Sequence, residues 1–191
     1  MATELERIDD GLRRWIGRQP MFFVGSAPLA EDGHVNLSPK GPIGTLAVLG
    51  EHEIAYVDLI GSGAETIAHL RENGRVTVML CAFQGPPKII RLYGRGAVIL
   101  PEDEGFEALA SKFDVPVDPA ARRAVVRVQV TRIIKSCGYT VPLMEPASER
   151  EHMPKWVDKK LRVGGEQALR DYQDLKNATS LDGLPGVPAR T

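Results

Sequence analysis

Residues 75–83 and 88–100 both read as strands, and only Gln84-Gly85-Pro86-Pro87 lies between them. Four residues are too few for the crossover that a parallel pair needs, so the two runs pair antiparallel. In the first run Val76, Val78, Leu80 and Ala82 share one face. In a third run, 123–134, Val126, Val128 and Val130 alternate with Arg127, Gln129 and Thr131. A period of two is the signature of a strand with one face on a core. Strands joined by short turns must close on themselves or be covered, because a free edge invites aggregation. A barrel is the economical answer.

The other segments fit that plan. Residues 21–24, 34–38, 46–49 and 54–59 read as shorter strands, with Asp32-Gly33 as a hairpin turn ahead of the second. Leu5, Ile8, Leu12 and Ile16 recur at helical spacing, which predicts a helix over 3–17. Ser62 and Glu65 stand in the capping-box relation ahead of a helix that buries Ile67 and Leu70 and ends at Gly74. A short helix is expected over 101–113, where Phe106, Leu109, Ala110 and Phe113 share a face. Beyond Pro142 two charged helices, 149–161 and 166–177, flank Gly164-Gly165, and 181–191 should be irregular. The expectation is an α+β chain. An N-terminal helix (1–19) leads into an antiparallel barrel of about six strands (20–142), and a helical and irregular extension (143–191) follows.

Charge and composition narrow the function. Lys and Arg number 24 against 25 Asp and Glu, so the chain lacks the basic excess a nucleic-acid binder needs, and none is expected as a partner. The two cysteines and the four dispersed histidines show no metal-ligand spacing, and no metal is expected. The first fifteen residues are charged from the fourth onward and lack the apolar stretch of a signal peptide. No apolar run approaches the ~18 residues of a membrane span. These features point to a cytoplasmic protein with no membrane partner.

Four segments carry possible chemistry. Asn36-Leu37-Ser38-Pro39-Lys40-Gly41-Pro42 leaves a strand with a hydroxyl, a lysine and exposed N–H groups. It suits an anionic ligand, or is an ordinary strand exit with a solvated lysine. Gly61-Ser62-Gly63-Ala64-Glu65-Thr66 opens a helix, where a phosphate sits readily, yet Ser62 and Glu65 also explain themselves as a cap. Arg91, Tyr93 and Arg95 share a strand face that lines a cleft or meets water. Ser136-Cys137-Gly138-Tyr139 offers a surface for a planar ring, or a buried inert thiol.

The order of these motifs is the informative part. "GHVNLSPKG", "YVDLIGSGAETIAHLRENGRVTVML", "GPPKIIRLYGRG", "SCGYTVP" and the late "KNATSLDGLPG" together resemble the pyridoxamine-5′-phosphate-oxidase-like family. Within it they resemble the branch of flavin-binding members rather than the true oxidase. The resemblance implies a six-stranded split β-barrel that dimerises and binds FMN in two clefts at the subunit interface. By position, Asn36, Ser38, Pro39, Lys40 and Gly41 would line the flavin edge and its phosphate side. Asp58, Ser62, Gly63 and Thr66 would cradle the ribityl phosphate. Arg91 would reach the cofactor from the opposite subunit, and Tyr139 would pack by the ring. Many members carry Arg-Lys at the helix start, where this chain has Glu65-Thr66. The resemblance thus implies an FMN-dependent oxidoreductase acting on a small molecule, with no catalytic side chain identified. The alternative is a non-catalytic split-barrel dimer holding a flavin, deazaflavin or haem.

Overall fold

The computed structural model describes residues 2–146 and 148–189 of the chain. Its elements run β1 (Thr3–Leu5), α1 (Asp10–Ile16), β2 (Phe22–Ser26), β3 (Asn36–Lys40), β4 (Leu46–Gly50), β5 (Glu53–Leu59), α2 (Glu65–Asn73), β6 (Arg75–Cys81), β7 (Ile89–Ile99), α3 (Phe106–Ala110), β8 (Arg122–Ser136) and α4 (His152–Asn177). Every strand pairing is antiparallel, in the order β3-β2-β6-β7-β8-β5-β4, with β1 added on β8. The α+β class and the hairpin of β6 and β7 are as the sequence predicts. The sheet holds eight strands rather than six, and its path stays open between β3 and β4.

Some boundaries move for identifiable reasons. The N-terminal helix is confined to α1, because Thr3–Leu5 pairs with Lys135, Ile134 and Ile133 of β8 instead. Asp9 starts α1, its carboxylate accepting from the Leu12 N–H at 2.7 Å. Asp32-Gly33 is no two-residue hairpin: residues 27–35 connect β2 to β3, and Gly33 is not among the glycines of positive φ. Gly74 does close α2, with φ of 71° and its N–H on the Leu70 carbonyl. α4 runs through Gly164 and kinks at Gly165 (φ 61°, ψ −161°), where the sequence predicts a break.

Two apolar clusters sit on opposite faces of the sheet. Ile54, Tyr56, Val126 and Val128 point into the barrel, with Val24, Val78, Leu80, Leu92 and the α1 residues Leu12 and Trp15. Ala55, Val57 and Val125 point the other way, under Phe106 and Ala110 of α3 and Val157 and Leu169 of α4. β5 and β8 are therefore covered on both faces, which explains the unbroken burial from Ile54 to Asp58. The C-terminal extension supplies the outer layer of the fold.

Candidate functional site

The open seam of the sheet is bridged by side chains. Alternation along β3 places Asn36, Ser38 and Lys40 on its half-buried face, and Leu37 and Pro39 on the exposed one. From that inner face Asn36 Nδ2 donates to Thr66 Oγ1 on α2 at 2.8 Å, and Lys40 Nζ donates to Asp58 Oδ1 on β5 at 2.7 Å. Lys40 is the last residue of β3 and is only about one-fifth exposed, so it is not the solvated lysine of an ordinary strand exit.

Asp58 is 2 % exposed and is shared by two cations. Arg123, at the start of β8 and 5 % exposed, donates to Asp58 Oδ2 through Nε at 2.9 Å and Nη2 at 2.5 Å. Its Nη1 donates to the Gly63 carbonyl at 2.6 Å. Burial pushes the Asp58 carboxyl up, but Arg123 and Lys40 together outweigh it and hold it below the ordinary carboxylate range. Two cations meet one carboxylate, leaving one positive charge uncompensated within the cluster. Asp58 is Lys40's one hydrogen-bond partner among the described residues, so two of the three ammonium donors remain.

That surplus charge borders a cavity of about 420 Å³ lined by Pro39, Lys40, Gly41, Asp58 and Gly61. Val57, Ile60, Val117 and Met153 give it apolar walls, and Arg150 and His152 at the start of α4 form the rim. Next to it a smaller polar network runs under α2. Asn36 Oδ1 accepts from Ser38 Oγ at 3.1 Å, and Asn36 Nδ2 lies 3.4 Å from Ser26 Oγ, which meets His69 Nδ1 at 3.0 Å. His69 is fully buried, and its Nε2 has no partner among the described residues. Burial lowers the His69 pKa against the opposing pull of Asp182, Glu72 and Glu65.

The structure therefore brings Asn36, Ser38, Pro39, Lys40, Gly41, Asp58 and Thr66 into one neighbourhood. Ser62 and Gly63 lie in its exposed loop. The capping box is not formed: Ala64 is the N-cap, with no side-chain hydrogen bond, and Glu65 is the first helical residue. Arg91 lies on β7, donating to Ser136 Oγ at 3.3 Å, and does not line the cavity. Tyr139 is 82 % exposed and also stands outside it. Cys137 is exposed, while Cys81 is the buried thiol, its pKa raised by burial. Arg123, Ser26, His69 and the α4 rim were not singled out by the sequence. The one available signal is Val125, an apolar residue on the Arg123 face of β8, which marks that face as covered.

A second cavity of about 430 Å³ lies between the end of α1 and the β6–β7 turn, lined by Trp15, Phe83 and Met144. It meets the first at Glu149 and holds none of the expected residues.

The family model described as pyridoxamine 5′-phosphate oxidase matches residues 8–137. The pyridoxamine 5′-phosphate oxidase family protein ustO of Aspergillus flavus is 42% identical over 200 residues, covering 98% of this chain and 78% of that protein. Among solved structures, an FMN-binding protein from Syntrophomonas wolfei superposes with a TM-score of 0.49 at 17% identity, covering 64% of this chain and 80% of that one. The FAD-binding protein from Mycobacterium smegmatis gives 0.48 at 14% identity, covering 70% and 96%. The family match and the 42% identity, each spanning most of the chain, establish that this protein belongs to the pyridoxamine 5′-phosphate oxidase family.

Proposed function

We propose that this protein binds a flavin, specifically FMN, in the Lys40–Asp58 cavity and acts as a cytoplasmic FMN-dependent oxidoreductase on a small molecule. The observation that carries the reading is the uncompensated positive charge of the Lys40–Asp58–Arg123 cluster, of which Lys40 and Asp58 line that cavity. Its volume of about 420 Å³ lies within the ordinary range of ligand pockets. The free donors of Lys40 suit an anionic group such as a phosphate, and the apolar walls suit a planar ring.

The start of α2 fits a phosphate less well. Glu65 folds back over the loop, so that a Cβ on Gly63 would stand 2.5 Å from Glu65 Oε2. A carboxylate thus occupies the positive end of the helix that a phosphate would use. The Thr66 hydroxyl already accepts from Asn36. In this reading the grip on the phosphate falls to Lys40, while Asn36, Ser38, Ser62, Gly63 and Thr66 lie next to the cavity and do not line it. A bound flavin supplies hydride or electron transfer; the chain's residues bind it, orient it and exclude water.

The test begins with the visible spectrum of the protein purified without added cofactor, which is expected to show a flavin. In fluorescence-quenching titrations FMN is expected to bind more tightly than riboflavin. Equal affinities would remove the phosphate assignment. A second reading, a non-catalytic binder of flavin or another planar ligand such as deazaflavin or haem, is favoured by the Glu65 carboxylate at α2. Bleaching of the bound flavin by NADH or NADPH supports the enzyme; a flavin that neither reduces supports the carrier.

The reading includes a homodimer. Leu29 and Val35, in the connection between β2 and β3, and Leu37 on β3 are 62%, 78% and 66% exposed, apolar side chains that a second copy would cover. Arg91 and Tyr139, away from the cavity of their own chain, could reach the cofactor only from a partner. Light scattering at micromolar concentration is expected to give twice the 20.9 kDa chain mass. A monomer would refute the two-subunit cleft.

A further inference from the structure

The chain beyond α4 returns to the sheet and is fastened there at two depths. Asn177 is fully buried, and its Nδ2 donates to the carbonyls of Gly61 at 2.8 Å and Gly63 at 3.4 Å. Its own backbone carbonyl accepts from the Val187 N–H at 2.8 Å. Val187, 4 % exposed, packs with Ile67 and Ala124, and Arg71 donates to the Gly186 carbonyl. A Cβ at Gly186 would lie 2.2 Å from the Asn177 carbonyl oxygen and 2.9 Å from Ala64 Cβ. Only glycine lets the backbone pass so close to the N-cap of α2.

Between these roots the chain folds into a tight loop. Thr179 bridges Pro185, Ser180 N–H donates to the Leu184 carbonyl, and Gly183 N–H donates to the Ser180 carbonyl. The tip of the loop is held by different means. Leu181 N–H donates to Glu65 Oε1 at 3.3 Å. The Asp182 carboxylate accepts from the His34 backbone N–H at 2.8 Å and meets His34 Nδ1 at 2.7 Å. The His34 side chain is 70% exposed. The tip is thus bonded to the neighbour of Thr66 and to the residue two before Asn36, and so spans the Asn36–Thr66 pair.

We propose that residues 178–187 form a strap over the start of α2, rooted by Asn177 and Val187 and latched at its tip by the His34–Asp182 ion pair, whose release opens the Asn36–Thr66–His69 network beneath it. That the network belongs to a flavin site rests on the function proposed above; the latch does not.

The strap has an electrostatic logic. Two carboxylates of the chain itself, Glu65 and Asp182, stand near the positive end of α2 and hold it against an incoming anion. The other titratable groups facing the latch are Asp32 beside His34 and His69 beside Asp182; Glu72 and Glu65 act on His69 in turn. The hydrogen bond and charge of Asp182 raise the His34 pKa, and the hydrogen bonds from His34 lower that of Asp182. The raised imidazole favours the latch below its unfolded value of 6.5, and that contribution is lost as pH rises through the folded value. The lowered carboxyl favours it above 3.8, and that contribution is lost as pH falls through the folded value. The latch is closed in mildly acidic solution and loosens as pH rises through the folded value of His34.

Amide hydrogen exchange on the full chain, normalised to free-peptide rates, reads the latch directly and needs no flavin. The Leu181 and His34 amides are expected to lose protection about two- to fivefold between pH 5.5 and 8.5, the scale of an exposed ion pair. The Val187 amide at the root should not change. In Asp182→Asn the tip should be unprotected to the same extent at both pH values, with Val187 still protected, which also shows that the variant folds. Labelling of His69 by diethyl pyrocarbonate at fixed pH, mapped by mass spectrometry, should rise by the same factor. Tip protection indifferent to pH and to Asp182→Asn overturns the latch. A loosened tip with unchanged His69 labelling overturns the guarding role.

Discussion

Asp58→Asn is expected to destabilise the fold by about 3–5 kcal/mol, the cost of removing one partner from a buried ion pair. The side chains keep the same shape, so the loss is electrostatic. Arg123 is left 5 % exposed with its charge unmatched, and Lys40 becomes a second cation facing it. For a chain of this length each kcal/mol lowers the melting temperature by about 2–4 °C, so the fall should be roughly 6–20 °C. Adding Arg123→Met to Asp58→Asn should recover more than half of it, because the buried unpaired guanidinium is then gone. The pH dependence has a definite sign. The folded Asp58 carboxyl lies below its ordinary 3.8, so its contribution is complete above that value and is lost as pH falls through the folded one. The gap between wild type and Asp58→Asn should therefore close only in strong acid. A melting temperature within 2 °C of wild type at pH 7 would mean that water reaches this cluster and that it carries no buried charge.

The same cluster shows how far the sequence could be read. β6, β7 and β8 were legible because each has a long, alternating apolar face, and hydrophobic burial selects that pattern with little competition. β1 was not, since Thr3–Leu5 has no pattern of its own and is a strand only through the free end of β8. Ser62 and Glu65 have the spacing of a cap, but Glu65 is drawn instead towards the Leu181 N–H, over a hundred residues away in sequence. Lys40 and Asp58 were each legible as candidates. Their mutual bond was not, because nothing local in β3 announces that it ends against β5. Arg123 was silent for the same reason, its partner being set by the open seam of the sheet. The strap segment was legible as the motif KNATSLDGLPG, but its contacts were not, because they depend on the return of the C-terminal segment to α2.

The bond between Lys40 and Asp58 also sharpens what Lys40→Ala should do. If Lys40 holds the phosphate of FMN, its removal deletes a hydrogen bond between two charged groups, worth about 1.5–3 kcal/mol. That is a ten- to hundredfold rise in the FMN dissociation constant. Riboflavin has no phosphate, and its affinity should be unchanged, so the ratio of the two affinities isolates the charge contact from any change in cavity shape. The variant should still fold. Asp58 retains both Arg123 contacts, and Lys40 is one-fifth exposed, so the melting temperature should fall by no more than a few degrees. Asp58→Asn should behave oppositely in binding: it frees the Lys40 ammonium and removes a negative charge beside the cavity, so FMN affinity should hold or rise even as stability falls. Opposite effects of the two substitutions on FMN, with riboflavin unmoved by Lys40→Ala, would mark the surplus charge as the phosphate contact. If Lys40→Ala binds both flavins as wild type does, Lys40 serves only to balance Asp58, and the anionic group of the ligand lies elsewhere.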